Sequence, residues 1–492
     1  MKRYELHING QSVKPSTDTW FETQNPFTGQ AWAHIPRGSA QDVDSAVQAA
    51  HQAFTQGAWS QLTASQRGLL MYRLGDVIAR RAEQLAQTEV RDNGKLYSEM
   101  LGQLNYVPQW YYYYGGLADK VQGATLPLDK KDYFAYTRHE PMGVVAAITP
   151  WNSPLLLLAW KIAPALAAGC TVVVKPSEFT SASTLEFAAL FEEAGFPPGV
   201  FNVVTGFGHE VGSALVEHPL VSKVTFTGSD ATGRVINQQA GAQLKHTSLE
   251  LGGKSPNIIF DDADMEQAVN GAVSGIFAAT GQTCIAGSRL LVQSTVYDEV
   301  VARLLALAKT AKMGDPMDAQ TQVGPITTPA QYQKVKDYIE VAKGEGAQLL
   351  LGGKPADDAA CGNGWFIEPT IFGEVRNSMR IAQEEVFGPV LSIIRFDNEQ
   401  EALAIANDIR FGLAAGVWTS DMARAIRMSE NLKAGTVWVN TYRAVSFMAP
   451  FGGYKDSGLG RENGIGAIGE YLQTKSVWIN SGAVTGNPFV MR

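Results

Sequence analysis

The sequence predicts an α/β protein built on parallel sheets, from three observations. Short β-branched runs that each close on Gly, Pro or Ser (GVVAAITP, CTVVVKPSE, VFNVVTG, KVTFTGS) alternate with helix-like segments such as STLEFAALFEEAG. Strands alternating with helices imply βαβ units and a parallel sheet. The alternation resumes after Cys284 with SRLLVQ, PVLSIIRF and GTVWVN, so two α/β units flank a junction near residue 250. The third observation is length: 492 residues exceed one core and suggest about three domains.

Each element follows from its own pattern. From Asp42 to Lys95, DVDSAVQAAHQAF and SQRGLLMYRLGDVIARRAEQLAQTEV repeat apolar residues at spacings of three and four, the helical period. The stretch from Lys120 to Met142 and the tail YLQTKSVWIN alternate like two-sided strands that belong to neither unit. The purely apolar run Leu155 to Trp160 is far shorter than a membrane span. Beyond the junction, helices are expected from Tyr297 to Met313 and from Glu399 to Asn407.

Composition narrows the classes. Charged residues make up 18% and the net charge is −8, which argues against a nucleic-acid partner, since such a protein concentrates positive charge on one face. The opening MKRYELHING is charged and polar, unlike a secretory signal. The three cysteines, Cys170, Cys284 and Cys361, are too far apart and too few for a disulfide framework, a CxxC redox pair or a zinc site. The expectation is a soluble, reduced, cytoplasmic protein with no membrane partner and no metal.

Two glycine sets follow strands. GFGHEVG has the spacing GxGxxxG, one residue longer than the dinucleotide fingerprint. FTGSDATGRV places Arg and Val where a P-loop requires Lys and then Ser or Thr. Singly, each is a strand-to-helix turn. Together, two successive strand ends on one sheet line a crevice of the kind that binds nucleotides.

The residues with chemistry centre on GQTCIAGSR, where Cys284 lies between glycines in polar company. A thiol attacks as thiolate, helped by a base or a positive field. All seven histidines precede Cys284, which rules out the papain-like order of Cys then His, and neither GxSxG nor HExxH is present. A thiol hydrolase with His246 as base stays open as a minor alternative. The better partner is Glu250 in SLELGGKSPNIIF, a glutamate followed by two glycines at the proposed junction, where sites concentrate.

LELGGKSPNIIF with Glu250, followed by GQTCIAGSR with Cys284, resembles the paired signature of the aldehyde dehydrogenase superfamily. PWNSPLLLLAWKIAPALAAGCTVVVKPSE, FTGS, EEVFGPV, FGLAAGVWT and PFGGYKDSGLGRE follow in the family's order, so the likeness covers nearly the whole chain. The resemblance implies the aldehyde dehydrogenase-like fold in three parts. These are a Rossmann-type cofactor domain at 1–119 and 140–252, an α/β catalytic domain at 253–452, and small β oligomerisation segments at 120–139 and 469–492. It also implies a homodimer or homotetramer acting on a small aldehyde.

By the same resemblance, Cys284 attacks the aldehyde carbon, Asn152 and the Cys284 N–H stabilise the oxyanion, and Glu250 activates the water that hydrolyses the thioester. Lys161 and Glu462 match a proton path, although a surface charge is an almost equal reading of Lys161. Lys175, Ser177 and Glu178 match the adenosine-ribose residues. A carboxylate at Glu178 favours NAD, with NADP still possible through Lys175. Gly208, Gly228 and Ser229 lie along the pyrophosphate, where a helix N-terminus supplies N–H donors. Trp151, Phe226, Leu251 and Gly252 complete the cofactor set, with Glu385 and Phe387 at the nicotinamide ribose and ring. Tyr106, Trp110, Ser153, Leu157, Trp160, Arg443, Val445 and Phe451 line the aldehyde tunnel. For Arg443 the reading as a surface charge or salt bridge is preferred over a guanidinium fork for a distal carboxylate. A catalytically silent member of the fold would have replaced Cys284, Glu250 or Asn152, and a CoA-acylating one would lack Glu250; all three are present.

Overall fold

The computed structural model describes residues 1–482 and 486–490; parts of the expected segment 469–492 therefore lie outside the described residues. Two large sheets organise it. The first has eight strands, and five of them are the β-branched runs of the sequence: Val144–Ile148, Thr171–Lys175, Phe201–Val203, Val221–Thr227 and His246–Glu250, all parallel. Val144–Ile148 is central. The next two strands in the chain add to one side of it, and Val221–Thr227 and His246–Glu250 add to the other. The strand order therefore reverses beside Val144–Ile148, and a crevice opens outside the carboxyl ends of the strands at such a point.

The second sheet has seven strands, Pro256–Ile259 and Arg289–Gln293 among them, parallel except for the edge strand Gln348–Leu351. Only five residues separate the end of strand His246–Glu250 from the start of Pro256–Ile259, so the sheets meet at the segment 251–255. The carboxyl edge of the first sheet thus faces the amino edge of the second, where the loop before Arg289 carries Cys284. An unforeseen return tightens this junction: Gly458–Leu459 pairs antiparallel with Leu249 and Glu250. Ser457 then clamps the linker, with Leu251 N donating to Ser457 O and Ser457 Oγ donating to Gly252 O at 2.8 Å.

The helical stretch at 42–95 resolves into Ala40–Thr55, a short turn at Ala58–Gln61, and Ala64–Asn93. The long helix starts on a Thr63/Gln66 capping box and stops at Gly94, whose φ of 72° is the left-handed stop that suits glycine. Helix Pro154–Ala168 is apolar on almost every face and accordingly buried all round. The two-sided strands form a sheet of their own, in which Leu472–Asn480 pairs along its full length with Tyr133–Pro141 and Thr125–Leu126 adds an edge. No helix of the described residues is long and apolar enough to cross a membrane.

Candidate active site

The turn that delivers Cys284 is strained. After helix Met265–Phe277, Ala279, Thr280 and Gly281 all take left-handed backbone, with φ of 55°, 54° and 67°. Each such non-glycine residue costs roughly 1–3 kcal/mol and persists only if its surroundings hold it. Here they do. Ala279 N donates to Glu99 Oε1 at 2.9 Å and Thr280 Oγ1 to Gly324 O at 3.1 Å. The buried Gln282 side chain donates to Pro325 O and accepts from Thr327 N. A Cβ on Gly281 would overlap the Gly388 carbonyl. A Cβ on Gly253 would stand 2.8 Å from the Cys284 carbonyl oxygen, so the glycines of LELGGK let the nucleophile loop pack against the linker.

Asn152 sits in the loop after Val144–Ile148, buried, and its Nδ2 donates to Gln282 O at 3.1 Å. That bond uses one of two amide protons and fixes the side chain beside the cysteine loop. The Cys284 thiol is pushed up to about 12, first by burial and then by the charges of Glu385 and Glu250. Its own backbone N–H and the Lys95 ammonium act the other way. This environment favours the neutral thiol.

Glu250 ends strand His246–Glu250 and is 4% exposed, and neither carboxyl oxygen has a hydrogen-bond partner among the described residues. Burial, then the charge of Glu462, hold it well above the usual carboxylate range, while Lys161 and Arg461 oppose the shift. A raised pKa suits a group that must take a proton from water. The surface reading of Lys161 is corrected. It is fully buried, and its Nζ lies 2.5 Å from Glu462 Oε1 and 2.7 Å from Thr227 Oγ1. A helix without a polar face offers a lysine no solvent.

Two cavities open on Cys284. One, of about 120 Å³, runs over the switch point and is lined by Trp151, Gly228, Ser229, Leu251, Gly252, Glu385 and Phe387, with Gln331 and Lys334. The other, of about 420 Å³, is lined by Tyr106, Ser153, Trp160, Arg443, Val445 and Phe451, together with Lys95, Glu99 and Gln103. Asn152, Leu157 and Cys284 belong to both. In the first cavity Phe387 also has left-handed backbone (φ 57°), held by Gln331 Nε2, which donates to the Val386 and Phe387 carbonyls. Its ring meets Trp151 edge-on at 5.1 Å. The Glu385 carboxyl accepts from Gly253 N at 3.0 Å, and burial raises its pKa.

The remaining expected residues fall elsewhere. Lys175 and Glu178 follow the sheet edge at the end of Thr171–Lys175 and pair with each other at 3.1 Å, with Ser177 buried between them in the chain. Gly208 opens a short helical turn, and Ser229 caps helix Asp230–Gly241 by accepting from Thr232 N. Phe226 is buried, and its ring fills the space that a Cβ on Gly228 would need, so it shapes the loop from beneath. Trp110 requires correction as a tunnel residue. It is fully buried behind the wall, stacks on Trp160 at 6.0 Å and donates from Nε1 to Asn463 Oδ1 at 2.7 Å. Cys361 is also buried. Lys95, Glu99, Gln282, Gln331 and Lys334 were missed; Gln282 stands in GQTCIAGSR itself, two residues before Cys284, whereas the other four belong to runs whose composition does not set them apart from an ordinary helix or loop.

The aldehyde dehydrogenase family model matches residues 13–477. A (Z)-2-((N-methylformamido)methylene)-5-hydroxybutyrolactone dehydrogenase of Acinetobacter baylyi is 48% identical, over 100% of both chains. The betaine aldehyde dehydrogenase of Staphylococcus aureus, solved with NAD+, superposes with a TM-score of 0.97 at 41% identity, covering 99% of this chain and 97% of that one. An aldehyde dehydrogenase of Bacillus cereus, also in an NAD+ complex, gives 0.95 at 46% identity, covering 97% of each. The chain belongs to the aldehyde dehydrogenase family, has its fold, and is an NAD(P)-dependent aldehyde dehydrogenase.

Proposed function

We propose that Cys284 is the nucleophile of a covalent oxidation that releases a free carboxylic acid. One observation carries the proposal: the two cavities share only Asn152, Leu157 and Cys284, so a thiol and an amide donor stand where cofactor and aldehyde meet. The residues present fit NAD. Helix Asp230–Gly241 presents its N-terminus behind Gly228 and Ser229 at the switch point, an arrangement suited to a pyrophosphate. Glu385 and Phe387 lie by Cys284 for the nicotinamide half, and Lys175, Ser177, Glu178 and Gly208 lie at the strand ends for the adenosine half.

Cys284 gives up its proton to water and its sulfur bonds to the aldehyde carbon, the C=O π pair moving to the oxygen, which gains charge as the thiohemiacetal forms. The free amide proton of Asn152 and the Cys284 N–H stabilise that charge, and losing such a donor costs about 10²–10³ in rate. NAD held by Gly228, Ser229, Glu385 and Phe387 would supply the hydride acceptor for this carbon. Glu250 then takes a proton from water as the water attacks the thioester, and the Cys284 thiolate leaves. Lys161 and Glu462, buried behind Glu250, provide the onward path for that proton. The three-stranded sheet exposes Tyr133 and Trp478 on one side and Phe134 and Ile479 on the other, apolar surface suited to assembly into a dimer or tetramer.

The relatives' names range from a hydroxybutyrolactone to betaine aldehyde, so membership leaves the substrate open. A hydroxybutyrolactone-type substrate would reach Cys284 of this chain in its ring-opened form, an aldehyde with a free carboxylate.

The test is Cys284→Ala. Oxidation should stop while NAD binding persists, and alkylation blocked by substrate should map to Cys284 alone. Substantial turnover in this variant would sink the covalent mechanism.

A further inference from the structure

We infer that Lys95 and Arg443 form an anion-accepting wall of the aldehyde cavity, so that the preferred substrates are aldehydes carrying a second, carboxylate-type group. This rests on the reading of Cys284 as the nucleophile in the same cavity.

Lys95 follows the left-handed stop of the long helix at Gly94 and is 3% exposed, yet it lines the cavity. Its Nζ donates to Ser153 Oγ at 3.1 Å, the neighbour of Asn152, and it has no carboxylate partner within ion-pair distance among the described residues. An ammonium has three donors, and a buried cation is stable only if it is compensated. Protein engages one of the three. Burial brings Lys95 down to about 8, Arg443 adding to the effect and Glu99 and Glu89 opposing it.

Arg443 is the second cation. It lines the same cavity from the loop after Thr436–Val439 and has left-handed backbone at φ 68°. Its Nη1 donates to Ser274 O at 3.1 Å, and no carboxylate pairs with it among the described residues. Of the expected surface charge or salt bridge, the salt bridge is absent among them, and the partly exposed guanidinium keeps free donors at a cavity. The two cations repel each other, and an anion between them relieves that repulsion while using the spare N–H groups.

Glu99 is the one carboxylate on this wall. Its Oε1 is taken by Ala279 N in holding the strained turn. The cavity charges therefore sum to one positive. Leu157, Trp160, Val445 and Phe451 supply apolar surface for the carbon chain between aldehyde and anion.

The experiment compares kcat/KM for matched pairs, butanal with succinate semialdehyde and pentanal with glutarate semialdehyde, together with a trimethylammonium aldehyde. Wild type should favour the acid-bearing member, and the cationic aldehyde should be the poorest. Lys95→Met and Arg443→Gln should each reduce the acid-to-neutral ratio by roughly 10- to 100-fold, mostly through KM. Arg443→Lys should recover part of the loss. Equal values for acid and neutral members in wild type, or a ratio unchanged in both variants, would overturn the inference. Butanal turnover with no charge preference removes this inference alone; no NADH from any aldehyde removes the Cys284 reading as well.

Discussion

Lys161 Nζ lies 2.5 Å from Glu462 Oε1 with both side chains buried, and the charges of both act on a Glu250 carboxyl that has no partner among the described residues. The pair joins helix Pro154–Ala168 to the segment after Gly458–Leu459, far apart in the chain. It sets the electrostatics of the base: Glu462 favours the neutral Glu250 and Lys161 the charged one.

Removing one member of that pair should be worse than removing both. Lys161→Met leaves a carboxylate buried without its cation, at a cost of about 3–5 kcal/mol. The double variant Lys161→Met with Glu462→Leu should recover most of the loss in Tm. A double variant as unstable as the single one would show that the Thr225 and Thr227 contacts, not the ion pair, hold Lys161.

Glu250→Gln keeps the shape of the base and removes its basicity. The first turnover should still give a burst of NADH, with the steady state slower by about 10²- to 10⁴-fold. Equal slowing of burst and steady state would place Glu250 earlier, in deprotonating Cys284.

Glu178 holds the Lys175 ammonium at 3.1 Å. Glu178→Gln should therefore improve NADP use in two ways, by removing a negative charge and by releasing a cation toward a 2′-phosphate. The ratio of kcat/KM for NADP over NAD measures it. An unchanged ratio would mean that neither side chain faces the ribose.

Glu89 is buried beneath the helix that follows Asn152, accepting from Leu155 N at 2.9 Å, and burial raises its pKa to about 7. The unfolded chain releases this proton near the ordinary 4.5, so the unfolded state binds fewer protons between 4.5 and 7. The group's contribution is full below pH 4.5 and is lost as pH rises through 7, a change on the order of 3 kcal/mol. Glu89→Gln should therefore gain Tm relative to wild type as pH rises from 5 to 7.5. A constant difference across that range would show that Glu89 is ionised in the fold throughout.

Much of this protein was legible in its sequence because the relevant information is local. The β-branched runs ending in Gly or Pro marked the parallel strands, and the glycines around Cys284 and after Glu250 marked places of close approach. The structure brings Cys284, Asn152 and the linker after Glu250 to one place. The rest was decided by tertiary packing. Whether Lys161 faced water depended on helix Pro154–Ala168 being enclosed on every side. Trp110 shares the aromatic character of Tyr106, but packing on Trp160 and a bond to Asn463 put it behind the wall. Lys95 looked like the end of a helical stretch, and only the approach of Ser153 and Arg443 made it part of a cavity. Periodicity determines which face of an element is apolar. What that face meets, and which charges are stranded there without partners, depends on segments hundreds of residues away, and only the assembled fold decides it.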